Sequence, residues 1–302
     1  MNTDLRIVRL RDQMRNANLE ALVLTHPHDV HYATGYESIL EHWTLQEPLS
    51  AAIVALDESM PVILCLPETN IAGLAVQQER GDPDRADELR VFDLLSFCDM
   101  ARKPDEFAKS TSLVDTSMSI YANRVKGDCS EHLISSILQA LTDHGLAQAS
   151  LGVDDLRVGQ SITSNDPACS ITDALELVVR ARIVKTPPEL GIFREIGPIA
   201  DKAVQAAAAA LHPGVVWDEV QYQVADTMAR MGARPVDHGA MLFGGAFDNT
   251  FVPELFRTPF DKPLQEGQIV ILEILGICKG FWIDINRTAV IGQPTPRIQC
   301  NA

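Results

Sequence analysis

The feature that most constrains the fold is a long apolar segment near the end of the chain, GQIVILEILGICKGFWIDINRTAVIG at residues 267–292. Both halves are rich in β-branched residues, which is typical of buried strands, and the break between them falls at 278–280. A two-residue loop at 278–279 would place Glu273 directly opposite Asp284, with Cβ atoms about 5 Å apart. A buried carboxylate pair must share a proton, meet a cation or bind a metal, which makes this pair a candidate site. A three-residue loop would instead place the two carboxylates on opposite faces.

The composition is that of a globular protein with room for two domains: 302 residues, of which 46% are hydrophobic and 22% are charged. The first residues are too polar for a signal peptide, and no apolar run reaches the roughly 18 residues needed to span a membrane. The net charge of −16 disfavours nucleic acid as a partner. The six cysteines show no CxxC or zinc spacing, so we expect free thiols. Together these features predict a cytoplasmic protein that binds neither membranes nor nucleic acid.

The first half of the chain alternates apolar runs with helical patterns, which is typical of an α/β fold. We predict helices at 5–17 and 132–145 and strands at 21–25, 51–56, 62–66, 89–95 and 150–154. These elements predict an N-terminal domain over residues 1–178. His26, His28 and His31 follow the first strand, in a segment predicted to be a loop. Metal binding by these histidines is the minor alternative there.

The sequence of the second half predicts two helices, then a loop, then the apolar hairpin. The first helix is expected over residues 187–211, with a kink or a break at Gly197-Pro198. The second helix is expected over residues 217–231, with Val220, Val224 and Met228 on its buried face.

The order of these elements and their sequences resemble the creatinase/prolidase/aminopeptidase P family, whose catalytic domain is called pita-bread. The matching stretches are VKTPPELGIFREIGPIADKA, LHPGVVWDEV, KPLQEGQIVILEILG and GFWIDINRTAVIGQPTP, and NLEALVLTHPHDVHYATGYES is similar to the family's first domain. The resemblance covers nearly the whole chain. It implies an α/β (α+β) protein with a creatinase-like N-terminal α/β domain, followed by a partial pita-bread domain at residues 179–302.

The resemblance also implies a site for two divalent metal ions (Mn, Zn or Co) in a complete peptidase of this family, held by two Asp, one His and two Glu. Glu273 occupies the position of the first Asp and Asp284 that of the second, at the family's separation of eleven residues. Glutamate retains the oxygen ligand but adds a methylene, which can change the coordination geometry or the choice of metal.

Three departures from the family weaken the implied peptidase activity. Phe256 stands where the family has a catalytic His, and Gly276 follows Glu273 by three residues rather than two. The chain stops at Ala302, before the family's His and two Glu ligands, so we expect that it derives from a longer protein and binds metal weakly or not at all. Phe256 and its neighbour Arg257 are candidate substrate-binding residues, since an arginine can bind a carboxylate through two hydrogen bonds.

Three functions therefore stay open, and whether the chain is an enzyme is uncertain. The first is a metal-dependent hydrolase of the Xaa-Pro peptidase type that is inactive in this chain. The second is a metal-free hydrolase of amide or guanidino C–N bonds, as creatinase is. The third is a non-catalytic binding module with a peptidase-like fold. The expected partners are a small-molecule or short peptide substrate and a second copy of the chain in a homodimer.

Overall fold

The computed structural model describes residues 4–37, 48–81, 84–94, 121, 123–246 and 262–294. Within 237–246 it describes the backbone alone. The chain divides into two compact units, Met1–Thr186 and Pro187–Ala302. The boundary proposed from the sequence, between residues 178 and 179, falls inside the helix Leu175–Ile183. The assignment of domains 1–178 and 179–302 stays a prediction.

The N-terminal unit is built around a six-stranded sheet. Its strands are β1 (Ala21–Leu24), β2 (Ala51–Ala55), β3 (Ile63–Pro67), β4 (Glu88–Phe92), β5 (Ser150–Val153) and β6 (Ser170–Asp173). Its helices are α1 (Leu5–Ala17), α2 (Pro27–Thr34), α3 (Ile71–Glu79), α4 (Leu133–Asp143), α5 (Leu156–Asn165) and α6 (Leu175–Ile183), and a 3₁₀ turn at Glu68–Asn70 precedes α3. Each helix and strand predicted from the sequence in this half is present.

The strand order is β4-β3-β2-β1-β5-β6. Strand β2 is antiparallel to both of its neighbours, and the other pairs are parallel. Strands β1, β3, β4, β5 and β6 therefore point the same way, and their carboxyl ends meet at one edge of the sheet. That edge is where open α/β sheets commonly bind ligands.

Apolar cores cover both faces of this sheet. Leu22 and Leu24 of β1 pack into one core with residues of α1, α2, α3 and α6, and Ala21 and Val23 pack into the other with residues of α4 and α5. Successive side chains of a strand point to opposite faces, so a strand covered on both faces needs apolar residues at every position. This requirement explains why the strands appear in the sequence as unbroken apolar runs.

The segment that contains the three histidines is helix α2, so the predicted loop is wrong. His26 is the N-cap residue, Pro27 takes the first helical position, and Asp29 lies in the first turn. Proline and an acidic residue are both favourable at a helix start. Gly35 ends the helix with a φ of 73°, a left-handed conformation that glycine adopts at little cost.

The C-terminal unit contains helices α7 (Pro187–Ala210) and α8 (Trp217–Arg230) and strands β7 (Arg234–Ala246), β8 (Ile269–Cys278) and β9 (Phe281–Val290). The sheet order is β7-β8-β9, and both pairs are antiparallel. The loop predicted after α8 is wrong, because β7 begins there. The pairing of β7 shifts register between Pro235 and Ala240 and again between Gly244 and Ala246. Glycine and proline are tolerated in a strand at such bulges, which is why this strand has a loop-like sequence.

Helix α7 runs without a break through Pro198, so of the two predicted alternatives the break is wrong and the kink stays a prediction. Proline removes one backbone hydrogen bond from a helix interior. Buried residues on both sides of the proline, Ile196 and Ile199 among them, join the core of this unit. Packing on both sides therefore holds the helix together across the missing bond.

The core of the C-terminal unit lies between the helices and one face of the sheet. Val220, Val224 and Met228 of α8 are buried, which confirms the predicted face of that helix. Val270 and Leu272 are buried in the same core, whereas the alternate residues 269, 271, 273 and 275 of β8 are only half-buried. The hairpin therefore has one covered face and one that is more open to solvent.

Candidate functional site

The loop of the β8–β9 hairpin is Lys279-Gly280 rather than Cys278-Lys279. Cys278 pairs with Phe281, and the two loop residues have φ angles of 51° and 74°. Positive φ at both central residues defines the type I′ turn, whose twist matches that of the flanking strands. The observed loop shifts the pairing by two residues from the predicted register.

Glu273 therefore lies opposite Asn286, and Asp284 lies opposite Leu275. The predicted direct opposition of the two carboxylates is wrong. A shift by two residues preserves the face of every side chain, so Glu273 and Asp284 still share one face of the hairpin, as predicted. They are diagonal neighbours, and such pairs are about 7–8 Å apart in antiparallel sheets.

The face that carries the two carboxylates is accessible to water and combines polar with apolar side chains. Glu273 is half-buried, and Asp284, Asn286 and Thr288 are exposed. The prediction of a buried carboxylate pair is therefore wrong. An exposed carboxylate is stabilised by water and needs neither a shared proton nor a cation.

The described donor groups do not complete a catalytic metal site. No cluster of three or more His, Cys, Asp or Glu side chains suited to a metal occurs in the part of the chain that the structure describes. The hairpin face offers two carboxylates and the carboxamide of Asn286, whereas catalytic metal sites normally hold at least three strong protein ligands and a water. Asn286 was missed because its position opposite Glu273 follows only from the Lys279-Gly280 loop.

The sequence also singled out residues outside this hairpin. Phe256 and Arg257 lie outside the described residues. His26 is in the N-terminal unit, where its Nε2 atom is 3.2 Å from the carbonyl oxygen of Asp154. Burial lowers the pKa of His31 to about 3, so that imidazole is neutral in the folded protein.

Gly276 has a packing role that accounts for its place in the hairpin. A Cβ atom at this position would lie 2.1 Å from the Cε atom of Met228 and 3.2 Å from the carbonyl oxygen of Arg234. Strand β8 therefore lies close to α8 here, and a larger residue would displace the end of the Met228 side chain. The glycine lies on the covered face of the sheet, opposite to the face of the carboxylates.

The turn end of the hairpin is attached to helix α7. Lys279 forms an ion pair with Glu195, and the ring of Phe281 meets that of Phe193 edge-to-face with centroids 5.1 Å apart. These contacts fix the end of the hairpin that is nearest to Asp284.

A cavity of about 570 Å³ opens at the carboxyl edge of the N-terminal sheet. Its lining is mostly apolar and includes Phe92, Leu133 and Val158. The charged groups at its border, Asp155 and Arg157, pair with each other at 2.6 Å. Their charges are therefore largely matched within the protein.

Comparison with known protein families shows which family the chain belongs to. Residues 6–184 match the family described as Creatinase/Prolidase N-terminal domain. The chain belongs to the creatinase/prolidase family. Residues 191–302 match the family described as Metallopeptidase family M24. The resemblance inferred from the sequence is confirmed in both halves of the chain.

Several relatives are named as peptidases. An uncharacterized peptidase of Staphylococcus aureus (strain MSSA476) is 22% identical over 97% of this chain and 68% of its own length. An uncharacterized hydrolase/peptidase of Sinorhizobium fredii is 28% identical over 49% of this chain, and the Xaa-Pro dipeptidase of Pyrococcus furiosus is 28% identical over 40% of it. The matches to the last two cover 38% and 34% of those proteins.

Solved structures share the fold at low sequence identity. The X-Pro aminopeptidase of Thermotoga maritima aligns with a TM-score of 0.63 at 14% identity, and the prolidase of Pyrococcus horikoshii aligns with 0.60 at 17%. Each alignment covers 97% of this chain and 67% of the other chain. The predicted fold class is thereby confirmed. None of the described helices has the length and apolar character needed to cross a membrane.

Proposed function

We propose that the chain is part of a peptidase-like hydrolase that cleaves C–N bonds, with short Xaa-Pro peptides as the substrate class of the complete protein. The observation that carries the proposal is the placement of Glu273 and Asp284 on one face of the hairpin, in a chain of the creatinase/prolidase family. The match of residues 191–302 to metallopeptidases and the similarity to a named Xaa-Pro dipeptidase support the reaction class.

In this proposal the hairpin supplies a negatively charged surface at the site of reaction. Glu273 and Asp284 can attract a cationic group, and the contacts of Lys279 and Phe281 with α7 hold the strands that carry them. Dependence on Mn, Zn or Co in the complete protein is part of the proposal. Metal dependence requires ligands beyond those on this face, since two carboxylates do not complete the coordination shell of a metal ion.

The first prediction concerns metal content. After dialysis, the 302-residue chain is expected to retain far less than one equivalent of Mn, Zn or Co, because the described ligands are too few. Elemental analysis of the dialysed protein measures this directly. The matched control is the double variant Glu273→Gln/Asp284→Asn, which removes both charges at nearly constant shape. A full equivalent of metal that disappears in this variant would contradict the prediction.

The second prediction concerns catalysis. The chain by itself is expected to hydrolyse Xaa-Pro dipeptides no faster than its Asp284→Ala variant, measured by release of free proline. If turnover is present and is lost in Asp284→Ala, the chain is active and the proposed inactivity is wrong. If a longer form that contains this chain also shows no turnover with metal bound, the peptidase proposal itself fails.

A binding module without catalysis is the second candidate, and the exposure of Asp284 favours it. A metal-free hydrolase of amide or guanidino groups is the third. A screen of amide and guanidino substrates separates the binding module from the metal-free hydrolase, since only the hydrolase turns them over. Substrate contacts by Phe256 and Arg257, a homodimeric assembly and a cytoplasmic location stay predictions within this proposal.

A further inference from the structure

Two carboxylates lie side by side at the carboxyl edge of the N-terminal sheet. Strands β3 and β4 are parallel, and Pro67 pairs with Phe92 at their ends. The next residue after each is acidic, namely Glu68 and Asp93. Neighbouring strands are about 4.8 Å apart, so the two acidic residues leave the sheet next to each other.

Glu68 is buried without the partners that an ionised carboxylate needs. The residue is 8% exposed, and its Oε1 atom is inaccessible to solvent and has no hydrogen-bond partner among the described residues. Its Oε2 atom has a weak contact with the Sγ atom of Cys129 at 4.0 Å. A carboxylate in such surroundings is costly, whereas a protonated carboxyl group is neutral and costs much less.

Two of the described groups near Glu68 are a carboxylate and a thiol. Asp93 follows β4, and the thiol of Cys129 comes from the segment that precedes α4. Within its own turn, Asn70 donates a hydrogen bond to the hydroxyl of Tyr36 at 2.7 Å. Burial, and then the negative charge of Asp93, raise the pKa of Glu68 above its ordinary value.

We propose that Glu68 is the proton-binding group of a pH-sensitive latch, which holds the turn Glu68–Asn70 and the start of α3 against the end of β4. With a proton on Glu68, the carboxyl group is neutral and the turn stays closed. Loss of the proton places a negative charge on the buried carboxyl group of Glu68, and the turn opens so that water can solvate it. Ile71 and Leu74 are fully buried, which confines the opening to a local event.

The direction of the pH dependence follows from the raised pKa. The closed turn binds the proton more tightly than the open one. The closed state therefore has its full stability below the ordinary pKa of glutamate, 4.5, and loses stability as the pH rises through the raised value. Across that window, the equilibrium constant for opening is expected to rise about tenfold for each pH unit.

Amide hydrogen exchange of the full chain over a series of pH values tests the latch. The readout is the protection of residues 68–71, corrected for the intrinsic pH dependence of exchange. Glu68→Gln keeps the shape of the side chain without a titrating proton, and Asp93→Asn removes the neighbouring charge. Glu79→Gln is the matched control, because it makes the same change at the exposed end of α3.

The wild type and Glu79→Gln are expected to lose protection by about tenfold per pH unit within the window. In Glu68→Gln, the amides of the turn should stay protected at every pH. In Asp93→Asn, they should lose protection over a narrower pH range than in the wild type. The proposal is overturned if Glu68→Gln shows the pH dependence of the wild type, or if this neutral variant is less protected or does not fold. An unchanged range in Asp93→Asn would overturn the role of the second carboxylate.

Discussion

Replacement of Asp154 by alanine is expected to lower the free energy of unfolding of the N-terminal unit by about 3–5 kcal/mol. Asp154 follows β5 and is 4% exposed. Its carboxylate accepts hydrogen bonds from the backbone N–H of Thr25 at 2.8 Å, the hydroxyl of Thr25 at 3.0 Å and the backbone N–H of His26 at 2.9 Å. Alanine would leave these donors, which lie between β1 and α2, without their acceptor. Denaturant unfolding followed by far-ultraviolet circular dichroism measures the loss.

Two variants serve as controls for Asp154→Ala. Asp154→Asn keeps one acceptor oxygen and the shape of the side chain, so its loss should be roughly half as large. Asp173→Ala makes the same change at the end of β6, where an exposed Asp173 accepts a single backbone hydrogen bond from Leu175 at 3.0 Å. That loss should be about 1 kcal/mol, as for other single hydrogen bonds. Equal losses in Asp154→Ala and Asp173→Ala would show that the buried hydrogen bonds contribute little.

The N-terminal strands could be predicted from the sequence because both faces of their sheet are covered. A strand such as β1 must then be apolar at every position, and an unbroken apolar run is easy to recognise. Helix α2 could not be recognised by the same means. It has only eight residues, and its polar first turn, with His28 and Asp29, has the composition of a loop. Pro27 at the first helical position was the signal that could have identified it.

The hairpin shows how far the pairing of two strands can be predicted from a sequence. The apolar alternation of β8 fixes the face on which Glu273 and Asp284 lie, and any even shift preserves that face. It does not fix which residues are opposite each other, because that depends on the turn. A type I′ turn requires positive φ at both central residues, and Gly280 is the one glycine within the break at 278–280. Placing Gly280 inside the loop would have given the observed pairing of Glu273 with Asn286.

The electrostatic environment of the carboxylates could not be derived from the sequence. Glu273 and Asp284 lie in an apolar segment that predicts burial, yet Asp284 is exposed because the helices cover only the other face of the sheet. Glu68 shows the opposite case. An ordinary glutamate in the sequence, it is buried beside Asp93 only because β3 and β4 pair in parallel across 25 intervening positions. Long-range pairing of this kind decides the pKa of a carboxylate more than its neighbours in the chain do.

Replacement of Trp217 by alanine is expected to lower the free energy of unfolding of the C-terminal unit by about 3–5 kcal/mol. Trp217 is the first residue of α8 and is 0% exposed, in the core that joins the helices to the covered face of the hairpin. Trp217→Phe should lose less, because it keeps an aromatic ring and removes an indole N–H that has no hydrogen-bond partner. Trp282→Ala is the matched control: Trp282 lies on β9 and is 45% exposed, so its loss should stay within about 1 kcal/mol. Denaturant unfolding followed by circular dichroism compares the three variants without relying on tryptophan fluorescence. A loss in Trp282→Ala as large as that in Trp217→Ala would mean that the open face of the hairpin, and with it the surface of Glu273 and Asp284, contributes as much to folding as the core beneath it.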